Sequence, residues 1–274
     1  MLITVRSATS PFGLSDMQLH QNVLKRALRN GQIQIGLWHG LFHPYVTELL
    51  AGTGFDWMCL DAEHSPSDHH NLLAQLQAIA AYPVAPVVRA VTDDVSLIKQ
   101  YLDIGVQTLL IPMVETGEQA ARVVAATRYP PRGIRGVGAA LARASRWNQV
   151  PDYLQRCEEE LCVLVQVESV TGVQNLAAIA NTDGIDGVFF GPSDLAASMG
   201  LLGKSGDPRV QQAIEDGIAT VRAAGKAAGV LTVDADLARK YIDLGATFVA
   251  VGLDTSLLVK AATDLAKRYK TNPA

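Results

Sequence analysis

Eight short apolar runs carrying β-branched residues recur along the chain: around 33–38 (IQIGLW), 57–63 (WMCLDAE), 85–90, 108–113 (TLLIPM), 162–168, 187–191 (GVFFG), 227–233 and 247–253 (TFVAVGL). Most are unbroken rather than alternating, which is the pattern of strands covered on both faces in a parallel sheet. The segments between them have helical period. Val95, Ile98, Tyr101 and Leu102 share one face of 94–104, and Leu237, Tyr241 and Leu244 share one face of 236–244. Gly105 and Gly245, in LDIGVQTLL and IDLGATFVA, fall where a left-handed residue ends a helix before the next strand. Eight strand–helix alternations in 274 residues predict a closed (β/α)8 TIM barrel. The competing doubly wound open sheet wants a phosphate-binding glycine loop after the first strand, and IGLWHGLFHP offers none.

The segment 129–150, YPPRGIRGVGAALARASRWNQV, breaks the alternation and predicts a long excursion between strands four and five. Gly133, Gly136 and Gly138 stand in the wrong order and place for a dinucleotide fingerprint. The first twenty residues read as an extension, and 21–274 as one barrel domain. A net charge of −4 gives no electrostatic case for nucleic acid or an anionic membrane. No apolar run approaches the ~20 residues of a membrane span. Cys59, Cys157 and Cys162 are an odd set without metal-site spacing, as expected of a reduced, cytoplasmic protein.

In such a barrel the active site lies at the C-terminal ends of the strands. Trp38, Asp61, Glu63, His64, Arg89, Glu168 and Asp194 all fall at or just beyond those ends. Acidic residues after buried strands are costly unless their charge is used. Glu168, closing CVLVQVE, and Asp194, in GVFFGPSD, supply hard oxygen ligands of the kind that suit Mg2+ or Mn2+. The alternative is that each caps the helix after its strand. His64 lies three residues after Asp61 and one after Glu63, and a carboxylate that bonds one imidazole nitrogen leaves the other free as a base; the alternative is a histidine that caps the loop before SPSDHH. Arg89 puts a permanent cation in the mouth, suited to a carboxylate or an oxyanion, or else to a structural ion pair. His39 and His43 also follow strand one, but nothing in the sequence gives them a partner. None of the eight lysines lies at a strand's C-terminal end, so Schiff-base chemistry is not expected and the electron sink falls to a metal.

The runs GFDWMCLDAEHSP, PVVRA, QTLLIPMVET, RYPPRGIRGVG, LARASRW, CVLVQVES, DGVFFGPSDLAASMG and FVAVGLDT together resemble the HpcH/HpaI family of metal-dependent pyruvate aldolases, from about Gly36 to the end. The resemblance implies a barrel of the phosphoenolpyruvate/pyruvate type. It also implies class II aldol cleavage of a 4-hydroxy-2-oxo acid to pyruvate and an aldehyde, through a metal-stabilised enolate. Glu168 and Asp194 match the family's metal ligands, His64 with Asp61 its catalytic dyad, and Arg89 the arginine at the pyruvyl oxygen. Gln166 and the Gly191–Pro192–Ser193 turn match the pyruvate cradle, with Ser193 where many relatives have alanine and Ala62 where many have glycine. Trp38 matches a rim tryptophan, and Leu231 and Leu253 mark the aldehyde side. The implied cofactor is Mg2+, Mn2+ or Co2+ with no organic cofactor. The implied assembly is a homohexamer, a trimer of dimers with the last helices packed on a neighbour. Two other readings remain at this point: a CoA-thioester lyase using Arg128, Arg132, Arg135, Arg143 and Arg146 as a nucleotide groove, and a non-catalytic oxo-acid binder.

Overall fold

A computed structural model describes residues 17–270, so the expected N-terminal extension lies outside the described residues as far as residue 16. Eight parallel strands close into a barrel in sequence order: β1 (Gln34–His39), β2 (Trp57–Asp61), β3 (Ala85–Arg89), β4 (Thr108–Ile111), β5 (Cys162–Val167), β6 (Gly187–Phe190), β7 (Ala227–Leu231) and β8 (Phe248–Leu253). β8 pairs with β1 to complete the circle. The predicted runs fall on these strands within one or two residues, because a strand buried on both faces has almost no place for a polar side chain.

Helices start where short polar side chains satisfy free backbone N–H groups. Asp94 accepts from Ser96 and Leu97 N–H, and Asp234 does the same for Asp236 and Leu237. Gly105 and Gly245 end their helices at φ 103° and 105°, in the region that costs glycine nothing. The following N–H of Val106 reaches back to Tyr101, and that of Ala246 to Tyr241.

Apolar side chains divide into two bodies. One lies between the strands and the helical ring, and the other fills the barrel's interior. The interior is a column of rings: Trp57 to Phe248 at 5.3 Å, Phe248 to Phe189 at 5.3 Å, and Phe189 to Trp38 at 5.5 Å. Register makes room for it. Gly36 lies beside Trp57, and Gly229 beside Phe248; a Cβ at either glycine would run into the neighbouring ring. Below Trp57 the short helix Val23–Arg29 inserts Leu24 and Leu28 into the same cluster and closes the N-terminal end.

The 129–150 excursion folds back on that closed end. Arg143 Nη1 donates to the Ile104 carbonyl at 2.9 Å, Arg135 pairs with Asp103 at 2.7 Å, and Arg128 and Arg132 share Glu158 at 2.5 and 3.0 Å. These arginines anchor the excursion to segments that precede β4 and β5. Four of the five proposed groove residues are thus engaged at the end away from the barrel mouth, and the structure gives no support to a nucleotide groove there. The last helix, Asp254–Tyr269, buries Asp254 alone and leaves Leu257, Leu258, Val259 and Leu265 exposed. Among the described residues no helix is long and apolar enough to cross a membrane.

Candidate active site

Asp61 ends β2 and Arg89 ends β3, and register sets them side by side. Arg89 Nε donates to Asp61 Oδ1 at 2.9 Å, and Nη2 donates to Oδ2 at 2.6 Å, a two-point fork. The Trp38 indole donates to Oδ2 at 3.2 Å, while the backbone N–H groups of Glu63 and His64 reach Oδ1 at 3.0 and 3.3 Å. Burial alone would raise the Asp61 carboxyl; the Arg89 fork and these other donors outweigh it and hold the carboxyl below the usual aspartate range. Glu63 Oε2 lies 2.8 Å from Arg89 Nη1, an ion contact without hydrogen-bond geometry. The guanidinium also lies over the Trp38 ring, 4.8 Å from its centroid.

Two expectations are revised here. Asp61 does not bond the His64 imidazole. It holds the His64 backbone, and the nearest carboxylate to Nε2 is Glu63, at 3.9 Å. The imidazole itself projects into solvent, with 68% of its side chain exposed. Trp38 is not a rim residue either. It is buried at 5% exposure beneath Arg89 and Asp61, which it props from below.

Glu168 follows β5 and is 3% exposed. Ser169, not Glu168, caps the next helix by accepting from Gly172 N–H at 3.0 Å, so the capping alternative fails for Glu168. Its Oε1 accepts the Met113 N–H at 3.0 Å and its Oε2 accepts from Gln166 Nε2 at 2.5 Å. Met113 makes its contact from a left-handed backbone, φ 53°, which costs a non-glycine residue about 1–2 kcal/mol. Burial pushes the Glu168 carboxyl up to about 7, and the negative charges of Asp194 and Glu63 add to the rise. Asp194 is exposed in the first turn of the helix Pro192–Ser198, beside Ser193, which is also exposed. Gln166 Oε1 is buried with no partner among the described residues, and Leu231, ending β7, is packed against the barrel interior.

The donor set fits a hard divalent cation. Glu168 is a buried carboxylate whose ionisation is opposed by two neighbouring carboxylates, an arrangement that a bound cation relieves. Gly191 leaves the necessary room: a Cβ there would collide with Glu168 Oε2 and Gln166 Nε2. Among the described residues no three His, Cys, Asp or Glu side chains gather closely enough to enclose a metal. Two carboxylates with open positions suit a cation that also takes water and substrate, not a closed structural zinc. Gly191→Ala should therefore keep the circular dichroism of the wild type and lower kcat/KM about 100-fold. Near-normal turnover would show that Glu168 can move without cost.

Two residues without an assigned role are resolved. His43 caps its own helix by accepting from Tyr45 N–H. His39 is fully buried, with Nδ1 2.6 Å from Asp254 Oδ2 and Nε2 2.8 Å from Thr47 Oγ1. No sequence signal pointed to this pair, whose members stand 215 positions apart.

Comparison with known proteins matches residues 34–261 to the HpcH/HpaI aldolase/citrate lyase family. The chain is 65% identical to a hydroxypyruvate/pyruvate aldolase of Paraburkholderia phytofirmans, over 93% of this chain and 95% of that one. It is 57% identical to a 4-hydroxy-2-oxo-heptane-1,7-dioate aldolase of Salmonella dublin, over 91% and 95%. An HpcH/HpaI aldolase/citrate lyase family protein from Burkholderia cenocepacia superposes with a TM-score of 0.88 at 39% identity, covering 92% of this chain and all of that one.

Proposed function

Because the chain belongs to the HpcH/HpaI aldolase/citrate lyase family, we propose that it is a class II lyase that reversibly cleaves 4-hydroxy-2-oxo acids to pyruvate and a small aldehyde. The observation that carries this reading is the buried Glu168, opposed by Asp194 and Glu63, in the same barrel mouth as an arginine fixed by Asp61.

Glu168 and Asp194 would hold Mg2+, Mn2+ or Co2+. A cation bound there supplies Lewis-acid polarisation of the oxo acid and charge stabilisation for the enolate. Gln166 and the Gly191–Ser193 turn bound the space for the pyruvyl half. Asp61 takes two of the five N–H groups of Arg89, and Glu63 lies against Nη1 without a hydrogen bond, so three N–H groups are left to donate to the oxygen on which charge develops. Their fixed direction is what makes them useful, since no reorganisation is needed as the C3–C4 bond breaks. His64, solvent-facing on a loop tied down by Asp61, takes the proton from the 4-hydroxyl. Leu231 and Leu253 face the aldehyde portion. The arginine is expected to act in the transition state. Arg89→Ala should lower kcat about 10²–10³-fold with a smaller change in KM. A variant that only binds substrate more weakly would remove Arg89 from that role.

The deciding experiment is pyruvate release from a panel of 4-hydroxy-2-oxo acids by chelator-treated enzyme, before and after adding Mg2+ or Mn2+. The reverse reaction should be run with both pyruvate and hydroxypyruvate. Metal-dependent pyruvate formation is expected; none with any metal overturns the proposal, and binding without turnover makes the chain an oxo-acid binder.

The same proposal takes residues 21–274 as one domain in a cytoplasmic homohexamer. It is supported by three free, buried cysteines and by the apolar residues exposed on the last helix. Leu258→Asp should reduce the sedimentation coefficient to that of a smaller species; an unchanged value would place the subunit contact elsewhere.

A further inference from the structure

Asp254 is the first residue of the last helix, and its carboxylate faces the chain that leaves β1. Oδ1 accepts from the N–H groups of Gly40 and Thr255 at 3.0 and 2.7 Å. Oδ2 accepts from the N–H of Leu41 at 3.1 Å and from His39 Nδ1 at 2.6 Å. Four donors on two oxygens, in a side chain 2% exposed, saturate the group. The short contact to a carboxylate requires the proton on Nδ1 of His39. His39 Nε2 then meets Thr47, on the helix Pro44–Ala51, and Thr47 lies 3.4 Å from buried Gln75. The segment 40–43 leaves the C-terminal end of β1 and thus borders the active site. Its Phe42 stands at φ 42°, a conformation that a bulky residue keeps only when its surroundings impose it.

We infer that Asp254 and His39 are positioning residues: they lock the 40–43 wall of the site to the root of the C-terminal helix, so that the seating of that helix sets the shape of the substrate entrance. Neither side chain belongs to the group of Asp61, Arg89, Gln166 and Glu168 at the mouth. Carboxylate chemistry at position 254 is required because an amide offers one oxygen where two are used. In Asp254→Asn the amide NH2 must face one pair of N–H donors, and one of the two anchored segments comes loose. The kinetic part of this inference rests on the proposed aldolase activity; the structural part does not.

The test is hydrogen exchange and steady-state kinetics on the full-length Asp254→Asn protein. Leu24→Ala, at the closed end of the barrel, serves as a control for general loss of stability. In Asp254→Asn, exchange in 40–47 and in the first turns of the last helix should rise together by about tenfold or more. KM should rise by about tenfold with kcat within about threefold. Leu24→Ala should show neither local effect. If Asp254→Asn does not fold, Thr47→Val and Thr47→Ser replace it. The valine, which cannot meet His39 Nε2, should give the same pattern more weakly, and the serine should restore it. Wild-type exchange in 40–47, or the same pattern in Leu24→Ala, overturns the inference. An enzyme with no aldolase activity but loosened 40–47 exchange in Asp254→Asn would fail the functional proposal while keeping this one.

Discussion

Asp61→Ala should be the most damaging single change in the barrel mouth. It is expected to cost about 3–5 kcal/mol of stability, read as a lower urea midpoint, because it strands a buried guanidinium with only one carboxylate nearby. Turnover should fall about 10³-fold, more than in Arg89→Ala, since Asp61 also holds the Trp38 indole and the backbone under His64. Asp61→Asn separates the two losses. It keeps the volume and one acceptor, so it should recover much of the stability and little of the rate. The lowered Asp61 pKa adds a pH signature. Its stabilisation is present above the ordinary aspartate range and is lost as pH falls through the lowered value, so the stability advantage of the wild type over Asp61→Asn should be full near neutral pH and shrink in acid. A variant with the wild-type urea midpoint and kcat would show that Glu63 alone suffices to fix Arg89.

The second large effect concerns Glu168 and has the opposite sign. Its carboxyl is raised to about 7 in the folded chain from an ordinary value of 4.5, so the folded state holds a proton there that the unfolded chain releases. Metal-free protein should lose stability as pH rises from about 4.5 to about 7, by an amount on the order of 3 kcal/mol, and change little from this group above that. A divalent cation competes with the proton. The rise in Tm on adding Mg2+ or Mn2+ should therefore be small at pH 5.5 and large at pH 7.5. Glu168→Gln should flatten the pH dependence of metal-free stability and abolish the metal-induced rise. Equal stabilisation by metal at both pH values would take Glu168 out of the ligand set.

The fold was legible because burial on both sides leaves a strand no polar positions, and because aspartate and glycine mark helix starts and ends. The pairing of Asp61 with Arg89 was half legible. Strand order predicted that both reach the mouth, but only the register of β2 on β3 turns them toward each other and away from His64. Trp38 was misplaced for the same reason: sequence position says that it ends a strand, not that its ring lies beneath a guanidinium. Glu63 was placed at the mouth without a task, which emerged from its distance to Arg89 and its charge beside Glu168. His39 and Asp254 were invisible as a pair, since only closure of β8 onto β1 joins them.

The column of rings from Trp57 to Trp38, with Leu24 and Leu28 beneath it, makes the barrel a vessel with a single door. Whatever binds deepest must enter first and leave last. Under the proposed reaction the pyruvyl half lies inward at Glu168 and the aldehyde outward. Cleavage then releases products in a fixed order, aldehyde before pyruvate. In the synthetic direction an empty site accepts an oxo acid before any aldehyde, so free aldehyde has no productive berth until the floor is occupied.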